Sequence, residues 1–215
     1  MKTTKNDPRY VKDDTVEIVA ILDRSGSMST IIDDSIGGFN TFLKQQQSLE
    51  GKAKLSLVLF DDKLEYPVTD TDIQSVRPLT KETYVPRGMT ALNDAIGTTL
   101  QKLLERNPAR AVIVILTDGF ENASKTFTQH TVTALIKECE AKEWPVVYLA
   151  ANQDAFKVAG SYGILASNTM NFAANAEGTR SAYKGLMATA TNYRAGDSTN
   201  LLDTSRINDQ GSGNT

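Results

Sequence analysis

The sequence predicts an α/β fold, a mostly parallel sheet with helices on both of its faces. Short buried runs alternate with amphipathic stretches along the chain, and such alternation is the pattern of strands joined by helical crossovers. A chain of 215 residues is long enough for one sizeable core, and one domain is expected.

Val16 to Leu22 (VEIVAIL) and Ala53 to Phe60 (AKLSLVLF) are short and rich in branched residues, and AVIVILT from Ala111 and PVVYLAA from Pro145 repeat the form. Helices fill the intervals. Ile32, Ile36, Phe39 and Leu43 make one apolar stripe, ended near Gly51, and Leu92, Ile96, Leu100 and Leu103 make a second, closed by NPAR. Val132, Leu135, Ile136 and Cys139 mark a third helix, and Tyr183, Leu186, Ala190 and Tyr193 a last one. The stretch from Asp61 to Val85 alternates and is punctuated by prolines, which predicts a hairpin or an edge strand. Gly37 and Gly38, inside the first helix, read as a close-packing point. Residues 1–14 form a polar arm, 15–194 the domain, and 195–215, polar and aperiodic, a flexible tail.

Composition narrows the function. The net charge is −3, and lysines and arginines are scattered among acids, so nucleic acid is not an expected partner. The longest apolar run, Ala111 to Leu116, is far short of the roughly 20 residues that cross a bilayer, and no membrane partner is expected. The start MKTTKNDPRYVKDD holds no apolar stretch for a signal peptide, and Cys139 is the only cysteine; both fit a reducing, cytoplasmic compartment.

The segment ILDRSGSMST puts one carboxylate and two hydroxyls, Asp23, Ser25 and Ser27, at the carboxyl end of the first strand. That edge of an open parallel sheet is where ligands collect. A hard divalent cation uses such oxygens best, and magnesium wants six of them. Thr90, just before a helix, and Asp118, just after a strand, supply two more. The alternative for the serines is capping, by Ser27 or Ser29, of the next helical turn.

With DRSGSM, GMTAL and LTDG in place, the chain closely resembles the von Willebrand factor A domains. Their metal-ion-dependent adhesion site is written Asp-x-Ser-x-Ser, a distant Thr and a distant Asp, and the match is complete at Asp23, Ser25, Ser27, Thr90 and Asp118. The resemblance spans Val16 to Tyr193 and is closest to stand-alone members of bacteria and phages. It implies a doubly wound, Rossmann-like sheet with one antiparallel edge strand, here between Leu64 and Val76. It implies Mg2+, with Mn2+ possible, touched by the two serines and the threonine, the aspartates acting wholly or partly through water. Neutral hydroxyls leave much of the +2 charge unquenched, so the implied partner is a protein donating a Glu or Asp side chain to the metal.

Other residues are read as structural. Glu121 and Asn122 read as turn and cap residues, Arg24 as a solvated loop arginine, and Asp61 and Asp62 as solvated turn acids. His130 lacks a partner at ligand spacing, and Cys139 lies on an apolar stripe as a buried small hydrophobe. Asp-x-Ser after a strand is also similar to haloacid-dehalogenase-type phosphohydrolases, which place a second aspartate where this chain has Ser25. A serine cannot hold a proton for transfer near neutral pH, so no enzyme is expected. Magnesium-dependent hydrolysis, and an assembly protein in which the metal only braces loops, are the alternatives.

Overall fold

The structure is a computed structural model that describes residues 14–151 and 154–206. Six strands, β1 (Val16–Asp23), β2 (Ala53–Phe60), β3 (Leu64–Asp72), β4 (Arg110–Thr117), β5 (Val146–Ala151) and β6 (Thr169–Phe172), form one sheet in the order β3-β2-β1-β4-β5-β6. All neighbours are parallel except β2 and β3, which are antiparallel. The expected edge strand is therefore β3. Its side chains alternate in exposure and Pro67 lies within it, as suits a strand with one free edge. The following residues, expected to continue the alternation, form a short 3-10 turn, Ile73–Ser75, and then a loop whose Val76, Leu79 and Tyr84 are buried.

Among the described residues five α-helices cover the sheet: α1 (Ile32–Ser48), α2 (Leu92–Arg106), α3 (Gln129–Ala141), α4 (Ala155–Ser161) and α5 (Ala176–Arg194). Strand periodicity divides the core in two. Ile18, Ala20 and Leu22 of β1 point to a cluster with Phe39, Phe42 and Leu43 of α1 and Tyr183 and Leu186 of α5. Val19 and Ile21 point to the other side, against Ile96 and Leu100 of α2 and Val132 and Ile136 of α3. A Cβ on Gly38 would lie 2.4 Å from the Tyr183 ring, whereas one on Gly37 would meet nothing within 4 Å; only Gly38 is the close-packing point between α1 and α5.

Neither α4 nor β6 was expected from the sequence. Seven residues and four residues are too few to carry a period. The stretch expected as a tail differs as well. Leu201 is fully buried in the α1–α5 core, with Leu202 packed against it, and Asn192 Nδ2 donates to the carbonyls of Asn200, Leu201 and Asp203. Two apolar side chains and an asparagine clasp tie this part of 195–206 to α5. The rest of the tail, 207–215, and all of the arm except Asp14 lie outside the described residues.

Candidate metal site

The connections from β1 and β4 leave in opposite directions, to β2 on one side and β5 on the other. Their carboxyl ends therefore flank the crevice at which doubly wound sheets bind ligands. Asp23 is the last residue of β1, Asp118 follows β4, and Thr90 precedes α2.

The hydroxyls and carboxylates form one connected cluster. Asp23 Oδ1 accepts from the Ser25 backbone N–H at 2.6 Å, Ser25 Oγ and Ser27 Oγ are 3.1 Å apart, and Ser27 Oγ donates to Asp118 Oδ1 at 2.6 Å. Thr90 closes the group from the side of Gly119, where a Cβ would sit 2.9 Å from Thr90 Oγ1; a side chain at Gly119 would displace the threonine. Asp23, Ser25, Thr90 and Asp118 are buried, and Ser27 is exposed. The cluster thus opens to solvent at the second serine. Neither helical start uses a serine as expected for a cap: the 3-10 turn Gly26–Ile31 and α1 both begin without a side-chain capping hydrogen bond.

The donor set suits a hard cation. All five side chains offer oxygen, and burial pushes the Asp23 carboxyl up to about 6, Thr117 and Ser25 opposing the shift. Burial raises Asp118 as well. Asp23 accepts from neutral donors, Ser25 N and Thr117 Oγ1, the latter at 2.6 Å. A carboxylate buried among neutral dipoles is a place where a cation gains.

Several residues that organise this site escaped the sequence reading. Asn122 Oδ1 accepts from Thr90 N at 2.9 Å, and Asn122 N donates to Thr90 O at 3.0 Å, so this residue holds the threonine in place as well as making a turn. Glu121 accepts from Asn93 N at the start of α2 and from Ser124. Tyr84 donates its hydroxyl to Asp23 O at 2.5 Å. Arg24, expected in solvent, is 2 % exposed and paired with Asp61 and Glu65. Asp61, expected as a solvated acid, is 0 % exposed, because two arginines converge on it; Asp62 is exposed as expected. No periodic or motif signal marks side chains that act through loops, although the acids of FDD and the arginine of PRG each stand beside a strand end or motif.

The fold and the cluster define a doubly wound α/β domain with an oxygen-lined crevice at the sheet's switch point. Residues 18–121 match the family model for the von Willebrand factor type A domain. No curated protein matches by sequence. Solved structures share the fold at low identity. One is the vWF domain of the type V pili tip protein Mfa5 from Porphyromonas gingivalis, with TM-score 0.62 and 10 % identity over 82 % of this chain and 95 % of that one. Another is manganese-loaded TRAP protein of Plasmodium vivax, with TM-score 0.53 and 14 % identity over 81 % and 74 %. Proximal thread matrix protein 1 from the mussel byssus, solved with zinc in its metal-ion-dependent adhesion site, gives 0.59 and 14 %. It is matched over 80 % of this chain, which spans 45 % of its length. Among the described residues no helix is long and apolar enough to cross a membrane.

Proposed function

We propose that this domain is a metal-dependent protein-interaction module: Asp23, Ser25, Ser27, Thr90 and Asp118 hold Mg2+, or Mn2+ in its place, and an acidic side chain of a partner protein completes the coordination. The observation that carries this reading is the hydrogen-bonded chain from Asp23 through Ser25 and Ser27 to Asp118, with Thr90 beside it, at the switch point of the sheet. Hydroxyls next to the ion leave it attractive to an incoming carboxylate. Met89, next to Thr90, and Phe120, two residues after Asp118, expose 56 % and 57 % of their surface, which supports a protein rather than a small ion as the partner. The lone, buried Cys139 and the resemblance to bacterial and phage members support a reducing, cytoplasmic setting.

The test is titration calorimetry with Mn2+ and Mg2+, then affinity capture from the native cell in magnesium and in chelator. About one ion per chain is expected, manganese binding more tightly, with calcium a poorer substitute because it prefers more oxygens at about 2.3–2.6 Å. Absence of divalent binding by the intact protein defeats the reading. Hydrolysis is the competing reading. Turnover of an aryl phosphate with magnesium that Asp23→Asn abolishes would establish it instead.

A further inference from the structure

Two of the loops that form the oxygen cluster come from distant parts of the chain, and the structure clips them together beside the cluster. Arg87 N donates to Arg24 O at 2.9 Å, Gly26 N to Gly88 O at 3.2 Å, and Ala91 N to Asp61 O at 2.8 Å. The side chains repeat the clip. Asp61 Oδ2 accepts from Arg24 Nε at 3.1 Å and from Arg87 Nε at 2.9 Å. Glu65, on β3, accepts from Arg24 Nη1 at 2.7 Å and from Arg87 Nη2 at 2.6 Å. Each arginine therefore bridges both acids, and the four charges sum to zero.

The four members differ in what they can do. Arg24 and Asp61 are 2 % and 0 % exposed, whereas Arg87 and Glu65 are 46 % and 48 % exposed. The inner pair is anchored in the fold, and the outer pair closes over it. The Arg87–Glu65 pair is exposed on both sides and contributes about 0–1 kcal/mol to stability, and Asp61 keeps Arg24 as a partner if Arg87 is removed, so Arg87 matters little to whether the chain folds. Its position is another matter, since Thr90 lies three residues on. The path between them has little freedom: Gly88 has φ +67°, and a Cβ there would lie 2.1 Å from Asp62 Oδ1. The Arg87 guanidinium is thus joined to the threonine loop by a short, constrained path.

We propose that Arg87, gripped by Asp61 and Glu65, is the positioning residue that sets the Thr90 loop against the Asp23–Ser27 loop, so that metal affinity at the oxygen cluster depends on this exposed arginine. This rests on reading the cluster as a metal centre.

The sign of the effect separates positioning from simple electrostatics. Arg87 carries a positive charge, so deleting it should by Coulomb's law leave metal binding unchanged or tighten it. Lost positioning should weaken it. The experiment measures Mn2+ affinity, by calorimetry and by the electron paramagnetic resonance signal of free Mn2+, for the full chain and for Arg87→Met, Arg87→Lys, Glu65→Gln and, as a distant control, Arg180→Met. Melting in chelator is recorded for each. Arg87→Met is expected to weaken Mn2+ about tenfold, in the range found for groups that orient metal ligands, with the melting temperature of the chelated protein unchanged. Arg87→Lys, which keeps the charge on one nitrogen but loses the planar fork, should recover part of the loss, Glu65→Gln should shift in the same direction by less, and Arg180→Met should do nothing. Equal or tighter binding by Arg87→Met overturns the proposal while leaving the metal centre intact. A melting point lowered by several degrees in chelator makes the role structural and also overturns it. If the unaltered protein binds no Mn2+, the reading of the cluster falls, and the positioning role with it.

Discussion

Strand β1 carries a buried carboxylate near each end, and the two are treated in opposite ways. Glu17, near its start, is 2 % exposed and meets the Arg106 guanidinium and the Ser56 hydroxyl, the latter at 2.6 Å. Asp23, at its finish, is 0 % exposed and meets a backbone N–H and the Thr117 hydroxyl. Removal from water costs both. At the amino edge the protein supplies its own cation, and the acid is closed into a structural pair. At the carboxyl edge it supplies neutral dipoles, and burial pushes the acid up to about 6. The same chemical group on the same strand thus serves stability at one edge and, in our reading, remains available to an external cation at the other.

The largest expected effect tests that contrast directly. Asp23→Asn keeps much the same shape and hydrogen-bonding reach but removes the charge, and it should weaken Mn2+ binding about 100-fold, the upper end of losses seen when groups around a metal are changed. Circular dichroism should show the fold retained, because apolar burial on both faces of the sheet supplies most of the stability. Unaltered Mn2+ affinity in this variant would break the comparison, since Asp23 would then be as structural as Glu17.

Second in size is Leu201→Ala. Its side chain is fully buried in the α1–α5 cluster, so the substitution should cost about 2–3 kcal/mol in urea unfolding, the lower part of the range for a buried leucine. Removal of 195–215 should lower the melting temperature too. Stability unchanged by either alteration would return this stretch to the status of a tail. Mn2+ affinity should not move, since the effect belongs to packing alone.

Glu17→Gln comes third. It leaves the Arg106 cation, which is 31 % exposed, without its counter-charge, while the amide can still accept from Ser56. A cost of about 1–2 kcal/mol is expected, reduced from that of a fully buried pair because water reaches the arginine. Metal affinity should again stay constant. A variant that lost metal binding together with stability would show that the two edges of β1 are coupled.

How much of this was legible in the sequence follows from the same physics. Strands β1, β2, β4 and β5 declare themselves as apolar runs because they are covered on both faces, and α1, α2, α3 and α5 declare themselves by stripes that fit those faces. The oxygen cluster was legible because its members lie in short motifs at element ends. The supports were not. Asp61 and Arg24 look like surface residues until the fold brings Arg87 and Glu65 to them across 26 to 41 positions, and no local pattern encodes such a meeting. Leu201 was misread for a related reason: a single leucine in a polar segment has no period, yet one buried side chain is enough to dock the segment.

The smallest expected effect sharpens the comparison by supplying buried chemistry without any poised role. Cys139, on α3, is fully buried, and burial pushes its thiol up to about 12, the neighbouring Glu138 and Glu140 adding to the shift. The thiolate is the nucleophile, so at pH 8 the group stays almost wholly in the unreactive thiol form, and it is shielded as well. In contrast to Asp23, whose burial leaves an open side at Ser27, this group has no path to solvent unless α3 lifts from Val132, Ile136 and the sheet. The native protein should therefore leave an aromatic disulfide reagent unreacted over an hour at pH 8 and react fully, once per chain, in concentrated urea. The rate should be indifferent to Mn2+ and to chelator. Rapid reaction of the native protein would mean that the α2–α3 face opens locally, and a rate that metal slows would mean that the site's influence reaches α3.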